Sequence, residues 1–291
     1  MRCAIVTLAG EENEKRSLWQ IFKIKKYKTD DINVINSTHN ICIYTIDYTI
    51  GEICEFSEKK LNSVLCKCIK ELKKRGVKSV YLTDEMHEFG LESSFHKYFK
   101  VVSGRRVFDL LLGRVIRMCA DKEKIESDKA EIGVWQSSFD KHGVAIVEDI
   151  CSQFKYITLF TKTIESANLY ADHIYAQAGL SLKVTENISE LNLCDIVIAA
   201  DKLEKNIANE KTIVIDESGE CDFRCKNTIE FSLPFGYNAL MQYFGVCNER
   251  CVEFLLDCCD IDIYSSNEID SKLDKIGCKI KKVLYKPHKN S

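Results

Sequence analysis

No stretch of about 18 apolar residues occurs in this 291-residue chain, so no transmembrane helix is expected. There is also no broad excess of positive charge. The 41 Lys and Arg stand against 44 Asp and Glu, a net charge of −3, so a phosphate-neutralising surface and nucleic-acid binding are not expected. The basic runs at 23–28 and 67–75 are local, and the second is interleaved with Leu65, Cys68, Ile69 and Leu72, as on the solvated face of a helix. The short apolar run near the start is closed by charge with no long hydrophobic region behind it, which reads as a buried strand and not as a secretory leader. Proline is scarce. Pro234 and Pro287 are the two present, and Pro234 sits in SLPFGYN, a turn signal. The patterns G-x-S-x-G, H-E-x-x-H and G-x-x-x-x-G-K-[ST] are missing, which removes the usual signatures of a serine hydrolase, a zincin and a P-loop enzyme. No internal repeat or low-complexity segment is visible.

What is present is an ordinary globular composition, 45% hydrophobic and 29% charged. The fifteen cysteines are many, but their number is odd, and a chain of this length does not need a disulfide framework; a reducing, cytoplasmic setting is expected. Two pairs, Cys221/Cys225 and Cys247/Cys251, share a C-x₃-C spacing and raise a zinc or iron–sulfur reading. Fifteen cysteines scattered at random supply roughly 0.8 pairs at any one spacing, and Cys251, Cys258 and Cys259 also fit the apolar face of a helix with Val252 and Leu255. Core packing is the competing reading, so no residue is assigned to a metal.

Helical and strand periodicities alternate, the mark of an α/β protein. Strands are expected at 2–9, 41–47 and 78–82, with a helix over 58–75 capped by Ser57 and stopped at Gly76. A helix at 105–122 carries Phe108, Leu111, Leu112, Val115, Ile116 and Cys119 on one stripe and is followed by a polar stretch. The chain is therefore expected to form two domains: an N-terminal α/β domain at 1–124, ending in this connecting helix, and a Rossmann-like parallel sheet flanked by helices at 125–291. In the second half strands are expected at 130–135, 156–160, 182–184, 195–199 and 212–215, and helices at 141–154, 164–178 and about 238–259. A last strand at 262–264 and a helix precede a basic end.

Chemistry is expected where the 130–135 strand turns into the next helix. A dinucleotide site there uses G-x-G-x-x-G, whose first two glycines let backbone approach a pyrophosphate at the helix N-terminus. The equivalent window is Ser138-Phe139-Asp140-Lys141-His142-Gly143. Only the third glycine remains, the one that serves helix–strand packing. Asp140 suits an N-cap, but its carboxylate opposes a phosphate on the same N–H groups by on the order of 1–4 kcal/mol at ~4 Å. The ribose-reading position about 20 residues further on falls at Thr161-Lys162-Thr163, with no acidic residue, so Lys162 is a candidate partner for a 2′-phosphate and otherwise a solvated loop lysine. Two weaker candidates remain. Asp84-Glu85-Met86-His87-Glu88 gathers carboxylates and an imidazole after a strand end, as an acid/base or metal cluster or simply an acidic helix start. His142 lies in the degenerate loop, facing a ligand or the surface.

The run LFTKTIESANLYADHIYAQAG, followed by ISELNLCDIVIAA and TIVIDES, resembles the cofactor domain of shikimate dehydrogenases and glutamyl-tRNA reductases. Those families show a hydrophobic strand, then N-R-T, then an alanine-bearing helix and a DIVI-type strand. The resemblance covers about residues 130–216. It implies a Rossmann domain with NADP as cofactor, with Thr161, Lys162 and Thr163 at the N-R-T positions and Gly143 as the last glycine. The chain departs from the families at Ser138 and Asp140, and its N-terminal half carries no matching substrate motif. The expected function is thus a dehydrogenase-like Rossmann protein that binds a nucleotide or small metabolite weakly or in an altered pose through Ser138, Asp140, Gly143, Thr161, Lys162 and Thr163. A non-enzymatic scaffold or regulatory protein that has lost the cofactor, and a cysteine-ligated metal protein, are the alternatives. No residue set decides whether the chain is an enzyme. A homo-oligomer is compatible with the sequence, whereas nucleic-acid and membrane partners are not expected.

Overall fold

The computed structural model describes residues 2–9, 28–33, 40–126, 128–203, 212–216, 228–262 and 266–284. In chain order, strands β1 (Arg2–Leu8), β2 (Lys28–Asn33) and β3 (Asn40–Ile46) precede helices α1 (Ile50–Cys54) and α2 (Glu58–Lys74). Then follow β4 (Val77–Leu82), α3 (Asp84–Glu88), α4 (Glu92–His96), β5 (Lys100–Val101) and the long helix α5 (Arg105–Glu123). A second alternation runs β6 (Glu131–Trp135), α6 (Lys141–Cys151), β7 (Tyr156–Phe160), α7 (Ile164–Ala178), β8 (Lys183–Thr185), β9 (Ile196–Ala199) and β10 (Ile213–Asp216), with a 3₁₀ turn at Ile188–Leu193. The chain continues through β11 (Thr228–Ser232), α8 (Asn238–Phe244), α9 (Glu249–Cys258), α10 (Ser266–Ile276) and β12 (Lys279–Leu284); β11 and β12 pair with each other.

Two compact units emerge, Met1–Gly104 with Phe231–Lys279, and Arg105–Glu230 with Ile280–Ser291. The expected consecutive domains, 1–124 and 125–291, differ from this division over α5 and over 231–279, a stretch that the structure groups with the N-terminal residues. The physical reason for the second difference is visible in the first unit. Its five-stranded sheet has the order β2-β3-β1-β4-β5, parallel except for the antiparallel edge strand β2. One face is covered by α2, whose Val64, Leu65, Cys68, Ile69 and Leu72 pack with Val6, Tyr44, Val80 and Leu82. A buried aliphatic side chain of this kind contributes about 1.5–3 kcal/mol. The opposite residues of β4, Ser79 and Tyr81, are equally buried and are covered by α8 and α9: Tyr81 stacks on Phe244 (centroids 4.9 Å) and Phe254 (5.7 Å), and Ser79 Oγ donates to Asp257 Oδ2 at 2.6 Å. Both helices come from the 231–279 stretch, which is why that stretch belongs with this sheet.

The helix over 58–75 starts as expected, with Ser57 Oγ accepting from Lys60 N–H at 3.4 Å, and stops at Gly76, whose φ of +69° suits glycine. The single helix expected at 238–259 is instead two. Gly245 adopts φ +63°, and Asn248 caps a new helix by accepting from Arg250 N–H (3.0 Å) and Cys251 N–H (3.3 Å). The expected strand at 262–264 falls largely outside the described residues.

The second unit carries five parallel strands in the order β10-β9-β6-β7-β8. Counted from β6 as the first, this is 5-4-1-2-3, the doubly wound Rossmann order. The crossing of the chain from one side of β6 to the other puts the topological switch point at the carboxyl ends of β6 and β9, where such sheets hold ligands. Among the described residues no helix is long and apolar enough to cross a membrane.

Candidate functional site

The carboxyl end of β6 leads through Gln136 to Asp140 into α6, and every predicted residue of this window lies at the switch point. Asp140 is the N-cap of α6, with Oδ1 accepting from His142 N–H at 2.8 Å and Gly143 N–H at 3.4 Å. The same oxygen accepts from the side-chain amide of Gln136 at 2.8 Å, and Gln136 Oε1 accepts from Asp140 N–H at 3.3 Å. Gln136, then His142 and Gly143, hold the Asp140 carboxyl below the usual carboxylate range. Gly143 is needed for packing: a Cβ there would run into Gln136 Oε1 and stand 2.9 Å from two atoms of the Phe139 ring.

Thr161, Lys162 and Thr163 follow β7 and sit beside the loop. Thr163 Oγ1 accepts from Phe139 N–H at 2.8 Å and lies 3.1 Å from Thr161 Oγ1; Lys162 N–H donates to Ser137 O at 3.1 Å. The two threonines therefore pin the loop, while the Lys162 side chain is exposed. Ser138 is exposed on the loop and His142 half-buried, its Nε2 3.3 Å from Arg105 Nη2. Trp135, which could plug or line a cofactor cleft, does neither as an open wall: it is buried with Phe160, Leu191, Val197 and Leu203, and its indole N–H donates to Lys202 O at 3.2 Å. Phe139 packs on Tyr170 of α7, centroids 5.3 Å apart.

Two site residues escaped sequence reasoning. Asp201, just beyond β9, accepts from Ser137 N–H at 2.7 Å and from the Ser137 hydroxyl; Gln136 supplies the bridge to Asp140. The signal for Asp201 was its place after the DIVIAA strand, since switch-point residues gather at strand carboxyl ends. The arrangement has one chemical consequence. The N–H groups of Ser137, Phe139, His142 and Gly143, in the turn from β6 into α6, are engaged by Asp201, Thr163 and Asp140.

The other candidates separate. Among the described residues no group of three or more His, Cys, Asp or Glu could hold a metal ion; Cys221 and Cys225 lie outside them. Cys247 and Cys251 are buried, with Cys251 Sγ 3.4 Å from Asn248 Oδ1 and 3.7 Å from Tyr81 OH, which fits core packing. The 84–88 cluster belongs to the first unit and disperses over α3: Asp84 pairs with Arg250, Thr83 Oγ1 donates to Glu85 at 3.2 Å, Met86 is buried, and His87 Nδ1 lies 2.5 Å from Glu92 Oε1.

The sequence matches no protein-family model, and no curated protein matches it. Among solved structures it is similar to L-tryptophan dehydrogenase from Nostoc punctiforme, at 10% identity over 94% of this chain and 80% of that one, with a TM-score of 0.35. It is also similar to a shikimate dehydrogenase in complex with NADP+ (10%, 94% and 96%, 0.33) and to shikimate dehydrogenase from Aquifex aeolicus (9%, 94% and 97%, 0.33). A match to delta-1-pyrroline-2-carboxylate reductase from Thermococcus litoralis, at 14% identity and a TM-score of 0.26, spans 35% of each chain, about a third of that protein's length. The Rossmann assignment of the second unit rests on its strand order.

Proposed function

We propose that the second unit binds a nucleotide or small metabolite at the β6/β9 switch point, weakly or in a pose altered from that of a dinucleotide dehydrogenase. The observation that carries this reading is the engagement of the four loop N–H groups by the chain's own side chains. A phosphate there must displace Asp140 from its cap and face its charge, which weakens binding tenfold or more at the upper end of the ~1–4 kcal/mol range. Ser138, Asp140, Gly143, Thr161 and Thr163 would then shape the loop, with Lys162 as the exposed cation for an anionic substituent. NADP is the first cofactor to try. The same self-satisfied loop also favours a second reading, a regulatory or scaffolding protein that keeps the fold and has lost the cofactor. A small-molecule ligand and a reducing, cytoplasmic setting accompany the first reading.

A melting screen of the full chain with NADPH, NADH, S-adenosylmethionine and ATP tests the proposal, because a ligand at about 100 times its Kd stabilises by ~2.7 kcal/mol. A shift with any of them supports binding. The double substitution Ser138→Gly with Asp140→Gly should then create or strengthen NADPH affinity. No shift with any ligand, and no gain in the double variant, overturns the reading in favour of a loop that no longer serves a cofactor.

A further inference from the structure

Thiols gather along α9. Cys251 and Cys258 lie on the helix and Cys247 directly before its Asn248 cap, while Cys3 belongs to β1. The side chains meet in two pairs: the Cys247 and Cys251 thiols hydrogen-bond each other, and so do those of Cys258 and Cys3. All four residues are buried, and among the described residues no group of three or more His, Cys, Asp or Glu could hold a metal ion. Core packing accounts for the burial. It does not require sulfur against sulfur, and two thiols in contact are the reduced form of a disulfide.

The two pairs differ in their chemistry. A cysteine reacts as the thiolate, so the environment of each sulfur decides. Burial, and then the Cys3 thiol, hold Cys258 well above its usual value. At Cys251 burial also opposes the charge, but the Cys247 thiol, the Asn248 N–H, the Tyr81 hydroxyl and the Arg250 guanidinium outweigh it, and the thiol titrates below its ordinary value of 9.0. The proton stays on Cys247, which its bond to Cys251 and then burial push up. Cys251 sits in the first turn of α9, where the macrodipole favours an anion, with its Sγ 3.7 Å from Tyr81 OH. The guanidinium carbon of Arg250 lies 4.9 Å from the centroid of the same tyrosine ring. Solvent is close in the chain. Gly245 and Val246, directly before Cys247, are both exposed, Val246 to 54%.

We propose that Cys247 and Cys251 are a redox dithiol that hydrogen peroxide converts to a disulfide, with Cys251 as the attacking sulfur and Cys247 as the resolving one. The small, neutral oxidant reaches the pair through local opening of the Gly245–Val246 turn. The Cys251 thiolate attacks one peroxide oxygen. The O–O bond breaks, the departing hydroxide takes up the proton that Cys251 released and leaves as water, and Cys251 carries a sulfenic acid. The Cys247 sulfur then attacks the Cys251 sulfur. The S–S bond forms, the S–O bond breaks, and the hydroxyl group leaves with the Cys247 proton as a second water. The two thiols together give up two electrons and the peroxide takes them. The pair lies in the first unit and does not rest on the cofactor reading of the second.

The test is native oxidation of the full chain with hydrogen peroxide, then blocking of free thiols with N-ethylmaleimide and tryptic mapping without reduction. Trypsin cuts after Arg250, so a Cys247–Cys251 bond joins two peptides and is read directly. That linked pair is expected, with a loss of two hydrogen atoms from the mass of the protein, reversal by dithiothreitol and no link between Cys3 and Cys258. In Cys247→Ser the sulfenic acid has no resolving partner, so dimedone should be captured at Cys251. In Cys251→Ser neither a link nor a dimedone adduct should form at Cys247. The proposal fails if the link forms only in urea, if Cys3 and Cys258 join first, or if dimedone marks Cys247 and not Cys251. Should a variant not fold, the map of the wild-type protein decides alone.

Discussion

Gly143→Ala tests whether the loop at the second switch point is locked as described. Alanine is ordinarily the better helix residue, by up to about 1 kcal/mol. Here the added Cβ runs into Gln136 Oε1 and lies 2.9 Å from Phe139 Cδ2 and Cε2. Gln136 is buried beneath α6 and is bound twice to Asp140, so its amide cannot turn aside without losing both bonds. Two hydrogen bonds at about 1 kcal/mol each, and about 0.5–1.5 kcal/mol for disturbing the Phe139–Tyr170 pair, outweigh the helical gain. The expected net loss is about 2 kcal/mol, or roughly 4–8 °C in melting temperature at ~2–4 °C per kcal/mol. Urea unfolding should show a lower midpoint with an unchanged slope. In a Gln136→Ala background the nearest obstacle is gone and both bonds are already absent, so Gly143→Ala should cost about 2 kcal/mol less; a coupling of that size is what a shared contact produces. A Gly143→Ala protein as stable as the wild type, or more so, would refute the argument, because Gln136 would then have somewhere else to go.

Three further outcomes follow from the same structure. Asp257→Ala strands Ser79 (2.6 Å) and leaves Lys100 (2.7 Å from Asp257) with Glu253 at 3.4 Å, and should cost about 2–3 kcal/mol, below the 3–5 of a fully buried pair because Lys100 is 39% exposed and keeps that second carboxylate; urea unfolding of the variant checks it. Native alkylation read by peptide mass spectrometry should, among the described cysteines, label the exposed Cys54 and Cys66 first. Cys119, Cys194 and Cys278, whose thiols burial pushes up to about 12, should react only on unfolding, and early labelling of any of the three would contradict their placement. Asp140 has a folded pKa below its ordinary value of 3.8, so its charge stabilises the fold above that pH and the benefit is lost as pH falls through the lowered value. Asp140→Asn, which retains a capping oxygen, should therefore lose less stability than the wild type between about pH 4 and 2; identical acid limbs in thermal melts would show that the charge plays no part.

Much of the architecture was legible because local signals coincided. Ser57 and Gly76 bracketed a helix whose apolar face keeps a 3.6-residue period, and Gly179 closed α7 in the left-handed conformation. The strands from β6 to β10 were short apolar runs at βα spacing. Signals failed where periodicity ran on through a break or never started. The apolar pattern continues across Gly245, so the cap at Asn248 looked like helix interior, and β2 is a polar strand, paired among the described residues with β3, that has no alternation to read. The site was half legible for the same reason. Ser138, Asp140 and Gly143 are read against a local motif, whereas Asp201 meets Ser137 across 64 residues of sequence, a contact that only the parallel pairing of β6 with β9 creates.

That contact changes what the lost glycines mean. Replacing two glycines by Ser138 and Asp140 would by itself leave a poorer phosphate loop with its donors still turned to solvent, one that a single reversion could mend. Instead, each of these donors has an acceptor in the chain: Asp140 for the first turn of α6, Thr163 for Phe139, Asp201 for Ser137. A buried or half-buried N–H without a partner costs about 1–3 kcal/mol, so a loop that had merely lost its ligand would be strained at several points, and this one is not. It follows that restoring Gly at 138 and 140 relieves only the Asp140 share of the competition. Asp201, from a neighbouring strand, remains on Ser137, and the triple change with Asp201→Ala should bind NADPH more tightly than the double one.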